Sequence, residues 1–277
     1  MSTVGKSTNS TRVVGNIVAT PIPATEYKFF LQGAQPVGSG NVIDISGKGN
    51  VGVIDSGTTD AAVWATAGSI TSTSAAAGAG KGVSVKAVNL LSPMGFDLST
   101  GKSLLWAFQV KIPVNPTGSA LRAVAGSLTG TSGGIVAYVG EASAAYAGRF
   151  SVRIRNAAGT NNTYQTPTTA PLINDGALHS IVVFVDGSNK QLTVYVDGAV
   201  SAYQNLQDIS SIASTVYVPN SDYGIGHYGD PATTGTLGIQ TRNHHCIIFD
   251  QLPSNATDVV QHLVRNPARV IEDWMIK

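Results

Sequence analysis

A single cysteine, Cys246, stands in 277 residues, so no disulfide can close within the chain. A zinc site is disfavoured for the same reason. His244 and His245 adjoin that cysteine, but no second cysteine or well-spaced partner completes a ligand set. The run His245-Cys246-Ile247-Ile248-Phe249 reads as a strand, with the thiol as a small buried hydrophobe. Glutamate is almost missing: Glu26, Glu141 and Glu272 are the only three. Charged residues make up 12% of the chain and the formal net charge is +1. The densest basic group is Arg149, Arg153 and Arg155, which falls short of the cation row that phosphate backbones require, so it reads as a solvated strand face and no nucleic-acid partner is expected. There is no stretch of about 18 apolar residues, hence no expected membrane span. Residues 1–20 lack the apolar centre of an export signal, which implies a protein made in a cytoplasm that stays there or leaves within a particle.

What is abundant points one way. With 31 glycines, 43% hydrophobic residues and many Ser and Thr, the composition fits short strands joined by tight turns, and the chain is long enough to bury one full core. Residues 1–24 are polar, end in Pro21 and Pro23, and hold no sustained period; with the lead-in up to residue 40 they read as an arm. From residue 41 strands and turns alternate. Leu105 to Ile112 is the clearest strand, with Trp106, Phe108, Val110 and Ile112 on one face and Ala107, Gln109 and Lys111 on the other. Residues 121–128, 135–139 and 150–155 read as further strands, the last placing Arg153 and Arg155 outward, and Asn156 to Asn162 as a turn. Leu178–Val185 and Gln191–Val196 form a hairpin around Asp186-Gly187-Ser188-Asn189-Lys190, closed at its far end by Asp197-Gly198. Val182, Phe184, Leu192, Val194 and Val196 are its expected core residues. Asn255–Asn266 is the one convincing helix, with Ser254 or Asn255 as cap and Val259, Val260, Leu263 and Val264 as its stripe.

These segments resemble a known family. Asp175-Gly176-Ala177-Leu178-His179-Ser180 followed by an apolar strand is similar to the D-G-x-W-H motif of laminin-G-like domains, with Leu178 where tryptophan is usual. Leu192-Thr193-Val194-Tyr195-Val196-Asp197-Gly198 is similar to that family's L-x-(apolar)-Y-V-D-G. The turn from Asp44 to Asn50, the strand Leu105–Lys111 and Ile225-Gly226 fall in the family's order. The resemblance covers roughly residues 41–267. It implies an all-β fold: a concanavalin-like jelly-roll sandwich of two antiparallel sheets with one short C-terminal helix. Ile248-Phe249-Asp250, a helix, Asn266-Pro267 and the apolar tail 268–277 resemble the endings of members encoded by bacteriophages.

The chemistry expected of such a fold is binding. Glycosidase catalysis needs two carboxyls at a set spacing across a cleft, and none of the three glutamates stands in a strand that would supply one. Asp175, His179 and Ser180 lack a nucleophile elbow, and strand neighbours point to opposite faces. Gly78-Ala79-Gly80-Lys81-Gly82 has no phosphate-loop spacing. Calcium is the ion that Asp222 and Asp230, with Asp55, would suit, although aspartate favours turns without any metal. Sugar contact needs exposed aromatics, for which Tyr223, His227, Tyr228 and Tyr164 are the candidates, with Tyr138 and Tyr146 nearby. The expectation is a non-catalytic structural protein of a phage virion (decoration, fibre or tail-associated subunit) that contacts host surface polysaccharide. A glycan-binding adhesin is the alternative, and a polysaccharide-degrading enzyme a more distant one. Virion neighbours would be met through the N-terminal arm or through Trp274 and Met275 in the tail. A homo-oligomer is expected, and a trimer would suit a fibre or a decoration knob.

Overall fold

The structure, a computed structural model, describes residues 25–31, 41–43, 51–54, 70–71, 82–85, 101–112, 114, 122–127, 134–140, 148–156, 161–166, 169–198, 207–208, 223–226 and 239–266. These residues form an all-β sandwich of two antiparallel sheets with one short helix. In chain order the first sheet takes β1 (Thr25–Leu31), β4 (Ile70–Thr71), β6 (Ser103–Lys111), β11 (Leu178–Asp186), β12 (Gln191–Val196), β13 (Gln207–Asp208) and β15 (Gln240–Phe249). Its order is β1-β15-β6-β11-β12-β13, with β4 also on β15. The second sheet takes β2 (Asn41–Ile43), β3 (Val51–Ile54), β5 (Val83–Val85), β7 (Arg122–Ser127), β8 (Gly134–Val139), β9 (Phe150–Arg155), β10 (Asn161–Gln165) and β14 (Tyr223–Ile225). Its order is β10-β9-β8-β7-β14-β5-β3-β2.

Alternation along β6 does what its pattern dictates. Leu104, Trp106, Phe108, Val110 and Ile112 enter the core between the sheets, against Val124, Ala137, Val152, Ile154 and Ile225 of the facing layer. Helix α1 (Ala256–Arg265) covers the other face of the first sheet, packing Val259, Val260, Leu263 and Val264 on Leu105, Ala107, Ile247 and Phe249. Asn255 takes the N-cap position without a side-chain capping bond; Asp258 in the first turn and His262 and Arg265 in the last suit the helix dipole.

That cover corrects one expectation. Val182 is a buried core residue as expected, but neither it nor Phe184 joins Val194 between the sheets: on β11 it is Ile181, Val183 and Val185 that point inward. Val182 and Phe184 stand on the opposite face beneath α1, where Phe184 is only half-buried. A strand covered on both sides carries apolar residues at every position, so its alternation is erased.

The lead-in also differs from expectation. Residues 25–31, assigned to the arm, form an edge strand whose residues pair with β15 from Thr25↔Phe249 to Leu31↔His244, with a bulge between Tyr27 and Phe29. Glu26 therefore lies in a strand and not in an arm. The turn expected over Asn156–Asn162 ends sooner, because β10 begins at Asn161 and pairs with β9. Asp44 to Asn50, residues 1–24 and the tail 268–277 lie outside the described residues.

The hairpin forms as read, with Asp186 drawn into the ladder opposite Gln191. Its Oδ1 accepts the backbone N–H groups of Ser188 and Asn189 at 2.9 Å each, the usual aspartate solution to a tight turn. Gly187 is obligatory there, since a Cβ would stand 1.8 Å from the Lys102 carbonyl oxygen. The tip is thereby held against the start of β6, where Ser103 Oγ accepts the Gly187 N–H at 3.0 Å.

Candidate functional site

The motif that resembles the laminin-G signature folds into a polar cluster where β11 begins and β12 ends. Asp197 and Gly198 both have positive φ, 53° and 73°, which makes the tight Asp-Gly turn. The turn aims the Asp197 carboxylate back at β11, where Oδ1 accepts the Ser180 N–H at 2.8 Å and Oδ2 lies 2.8 Å from His179 Nδ1. From the other side Asp175 Oδ1 lies 2.9 Å from His179 Nε2 and accepts the Ala177 N–H at 2.7 Å. The loop carrying Asp175 is itself anchored. The Arg149 guanidinium donates to the Ala170 carbonyl, Ile173 N–H donates to Gly148 at 2.8 Å, and Gly176 N–H donates to Ile112 at 3.0 Å.

His179 is thus a buried ring held between two half-exposed carboxylates. Burial pulls its pKa down, but the hydrogen bonds to Asp197 and Asp175 outweigh that, and the net shift is upward. The hydrogen bond from His179 lowers the pKa of Asp175. Both imidazole nitrogens are engaged, and the Ser180 hydroxyl accepts the Gln109 side-chain amide at 3.3 Å, so Asp175, His179 and Ser180 are not arranged as a nucleophilic triad. The cluster works as a latch that ties loop, strand and turn together.

Two substitutions separate the parts of this latch. Asp197→Ala removes the acceptor of both the imidazole and the Ser180 N–H and should cost about 2 kcal/mol in denaturant unfolding. Asp197→Asn keeps an acceptor oxygen and tolerates positive φ, so it should cost less, while an NMR titration shows the His179 pKa falling. An unchanged titration in the Asn variant would rule out the latch.

A second polar group lies between the sheets. Tyr223 and His244 are fully buried, with the phenol oxygen 2.6 Å from His244 Nε2. The His244 ring stacks on Phe108 at 5.4 Å between centroids, and Trp106 Nε1–H donates to Cys246 Sγ at 3.1 Å. Burial lowers the His244 pKa to about 3, and lowers that of the equally buried His245 well below the ordinary imidazole value.

This arrangement corrects the choice of sugar-contact residues. Tyr223 is a core residue with no exposed surface, and Tyr164 on β10 is also buried in the core between the sheets. Neither presents a ring to solvent. Tyr138, in the middle of β8, is buried as well, with the Arg153 guanidinium 5.2 Å from its ring centroid. Tyrosine suits a pleated strand as well as a sugar face, so composition does not separate the two roles. His227, Tyr228, Tyr146, Asp222, Asp230, Asp55, Trp274 and Met275 lie outside the described residues. Among the described residues no three His, Cys, Asp or Glu side chains gather as a metal site, and no helix is long and apolar enough to cross a membrane.

No protein-family model matches the chain, and no curated protein matches its sequence. Solved structures do share its fold. The binding domain of botulinum neurotoxin serotype D superposes with a TM-score of 0.57 at 10% identity, over 85% of this chain and 50% of that one. A structure of botulinum neurotoxin type C, whose cell entry depends on interaction with two ganglioside molecules, gives 0.52 at 11% identity, over 91% and 53%. The binding domain of paraclostridial mosquitocidal protein 1 gives 0.52 at 13% identity, over 86% and 51%. The chain spans about half the length of these structures. The shared feature is the fold, an antiparallel β-sandwich.

Proposed function

We propose that the chain is a non-catalytic glycan-binding protein, built on a lectin-like sandwich and carried as a structural subunit of a bacteriophage virion. The observation that carries the binding role is the superposition on toxin binding domains over 85–91% of the chain, one of them from a toxin that engages gangliosides. Fold alone leaves function open. Both His179 nitrogens are committed to carboxylates, which leaves no free imidazole nitrogen to act as a catalytic base in this cluster. The virion role rests on the resemblance of residues 248–267 to phage-encoded members. Under this reading residues 1–24 and the tail with Trp274 and Met275 contact neighbouring virion proteins or further copies of the chain.

With Tyr223 and Tyr164 withdrawn into the core, His227 and Tyr228 are the aromatic residues to test. The full chain is expected to bind immobilised oligosaccharides on a glycan array and ganglioside-bearing vesicles. Tyr228→Ala should weaken the strongest of these interactions about tenfold, the scale of one lost stacking contact. An array and vesicles that both stay blank would remove the glycan role. Immunogold labelling of purified phage particles tests the virion role separately, and unlabelled particles would overturn it.

A further inference from the structure

Apolar surface is unevenly spread over the molecule. Among the described residues the exposed large hydrophobic side chains are Val114 at 64%, Leu172 at 48% and Leu178 at 42%. All three belong to the end of the sandwich where β6 runs out and β11 begins. Register sets Leu178 beside Lys111, the last residue of β6. Gly176 N–H donates to the Ile112 carbonyl, and a Cβ on Gly176 would stand 3.6 Å from Val114 Cγ2, so Val114 lies against this turn. Leu172 stands on the same loop between two buried residues, Ala170 and Ile173, whose backbones are bonded to Arg149 and Gly148. The loop is thus held from both sides and offers its leucines to a partner with little further ordering.

The same end carries both signs of charge. Lys111 is exposed, and among the described residues no ion pair includes it. The Asp175 and Asp197 side chains are half-exposed, and each accepts two bonds in the latch, whereas a carboxylate has room for about four. Strand order places Lys111 on one side of β11, and the turn carrying Asp197 leaves β12 on the other.

A surface that is apolar in the middle, positive on one side and negative on the other is complementary to itself. A two-fold axis normal to the first sheet, just beyond the start of β11, exchanges the two sides. Leucine then meets leucine, and the lysine of each copy faces a carboxylate of the other. A sugar fits this surface less well, since no aromatic ring stands among its exposed described residues.

We infer that this end of the sandwich is a two-fold contact between copies of the chain. Val114, Leu172 and Leu178 form its centre, and Lys111 of each copy pairs with the carboxylates of the other. The contact goes beyond the glycan-binding reading and does not depend on it.

Sedimentation velocity on the full chain should show a dimer at micromolar concentration, weakened by added salt. Leu178→Glu sets two carboxylates against each other near the axis and should weaken the dimer at least about tenfold, the scale of burying one leucine. Lys111→Glu should weaken it too, because like charges then face each other. Both positions are exposed, so neither change disturbs the core. Should either variant misfold, Leu178→Cys repeats the test. Cys246 is buried, so copper-catalysed air oxidation should join two copies at position 178 and leave the parent chain unlinked. A parent chain that stays monomeric overturns the contact. So does a dimer that neither glutamate variant weakens, or a Leu178→Cys variant that does not cross-link. A monomeric chain that needs Leu178 to join particles would assign the surface to a virion neighbour and overturn the pairing of copies.

Discussion

Acidifying the protein by about two pH units below 6.5 is expected to cost the fold about 3 kcal/mol through His244 alone. The folded pKa of His244 is about 3, while in the unfolded chain imidazole titrates near 6.5. Between those values the unfolded state binds a proton that the native state refuses, and each pH unit of acidification shifts the balance by about 1.4 kcal/mol. His245, also fully buried and shifted downward, acts in the same direction. His179 has the opposite sign. Its folded pKa is raised, so its contribution is complete below 6.5 and is lost only as the pH rises through the folded value; it offsets nothing in the acid range. Asp175, with a lowered pKa, contributes above 3.8 and loses that contribution as the pH falls through its folded value, which adds to the acid loss only at lower pH. Guanidinium unfolding, followed by tryptophan fluorescence across this range, measures the slope. His244→Gln keeps a hydrogen-bonding side chain beside Tyr223 and should flatten the slope by about one proton's worth. A stability that does not change with pH in the parent would show that neither histidine is buried in a neutral state.

Trp106→Ala should destabilise the sandwich by about 4 kcal/mol. Trp106 is the largest of the fully buried side chains, packed between the sheets on the central strand β6 and tilted against Tyr223 at 6.3 Å. Its removal leaves a cavity that strands paired on both sides of β6 cannot close without breaking register. Trp106→Phe should cost about half as much, since it refills part of the volume but gives up the N–H bond to Cys246. Chemical denaturation midpoints at neutral pH give both values. A loss below about 1 kcal/mol for the alanine variant would contradict the interior position of this residue.

Much of the fold could be read from local pattern. The alternation from Leu104 to Ile112, the aspartate-glycine turns at both ends of the hairpin, and the apolar stripe of α1 each reflect a short-range rule, and each holds in the structure. The polar cluster was half readable. Asp175, His179 and Asp197 stood out as motif residues, but only the return of β12 alongside β11 puts both carboxylates on one ring. The sugar-contact tyrosines were misplaced because a tyrosine in a strand carries no mark of which face it will take. Tyr223 went inward because its hydroxyl finds His244 across the sheets, a partner 21 residues away.

Short-range chemistry along the chain was enough for strand against helix, for the turns, and for an all-β class, because each depends on neighbours within a few residues. Which face of β11 is the interior and which tyrosines are hidden depended on long-range pairing. Side-chain direction alternates residue by residue, so a strand's meaning changes with the partner that covers it, and that partner was chosen by packing of the whole sandwich.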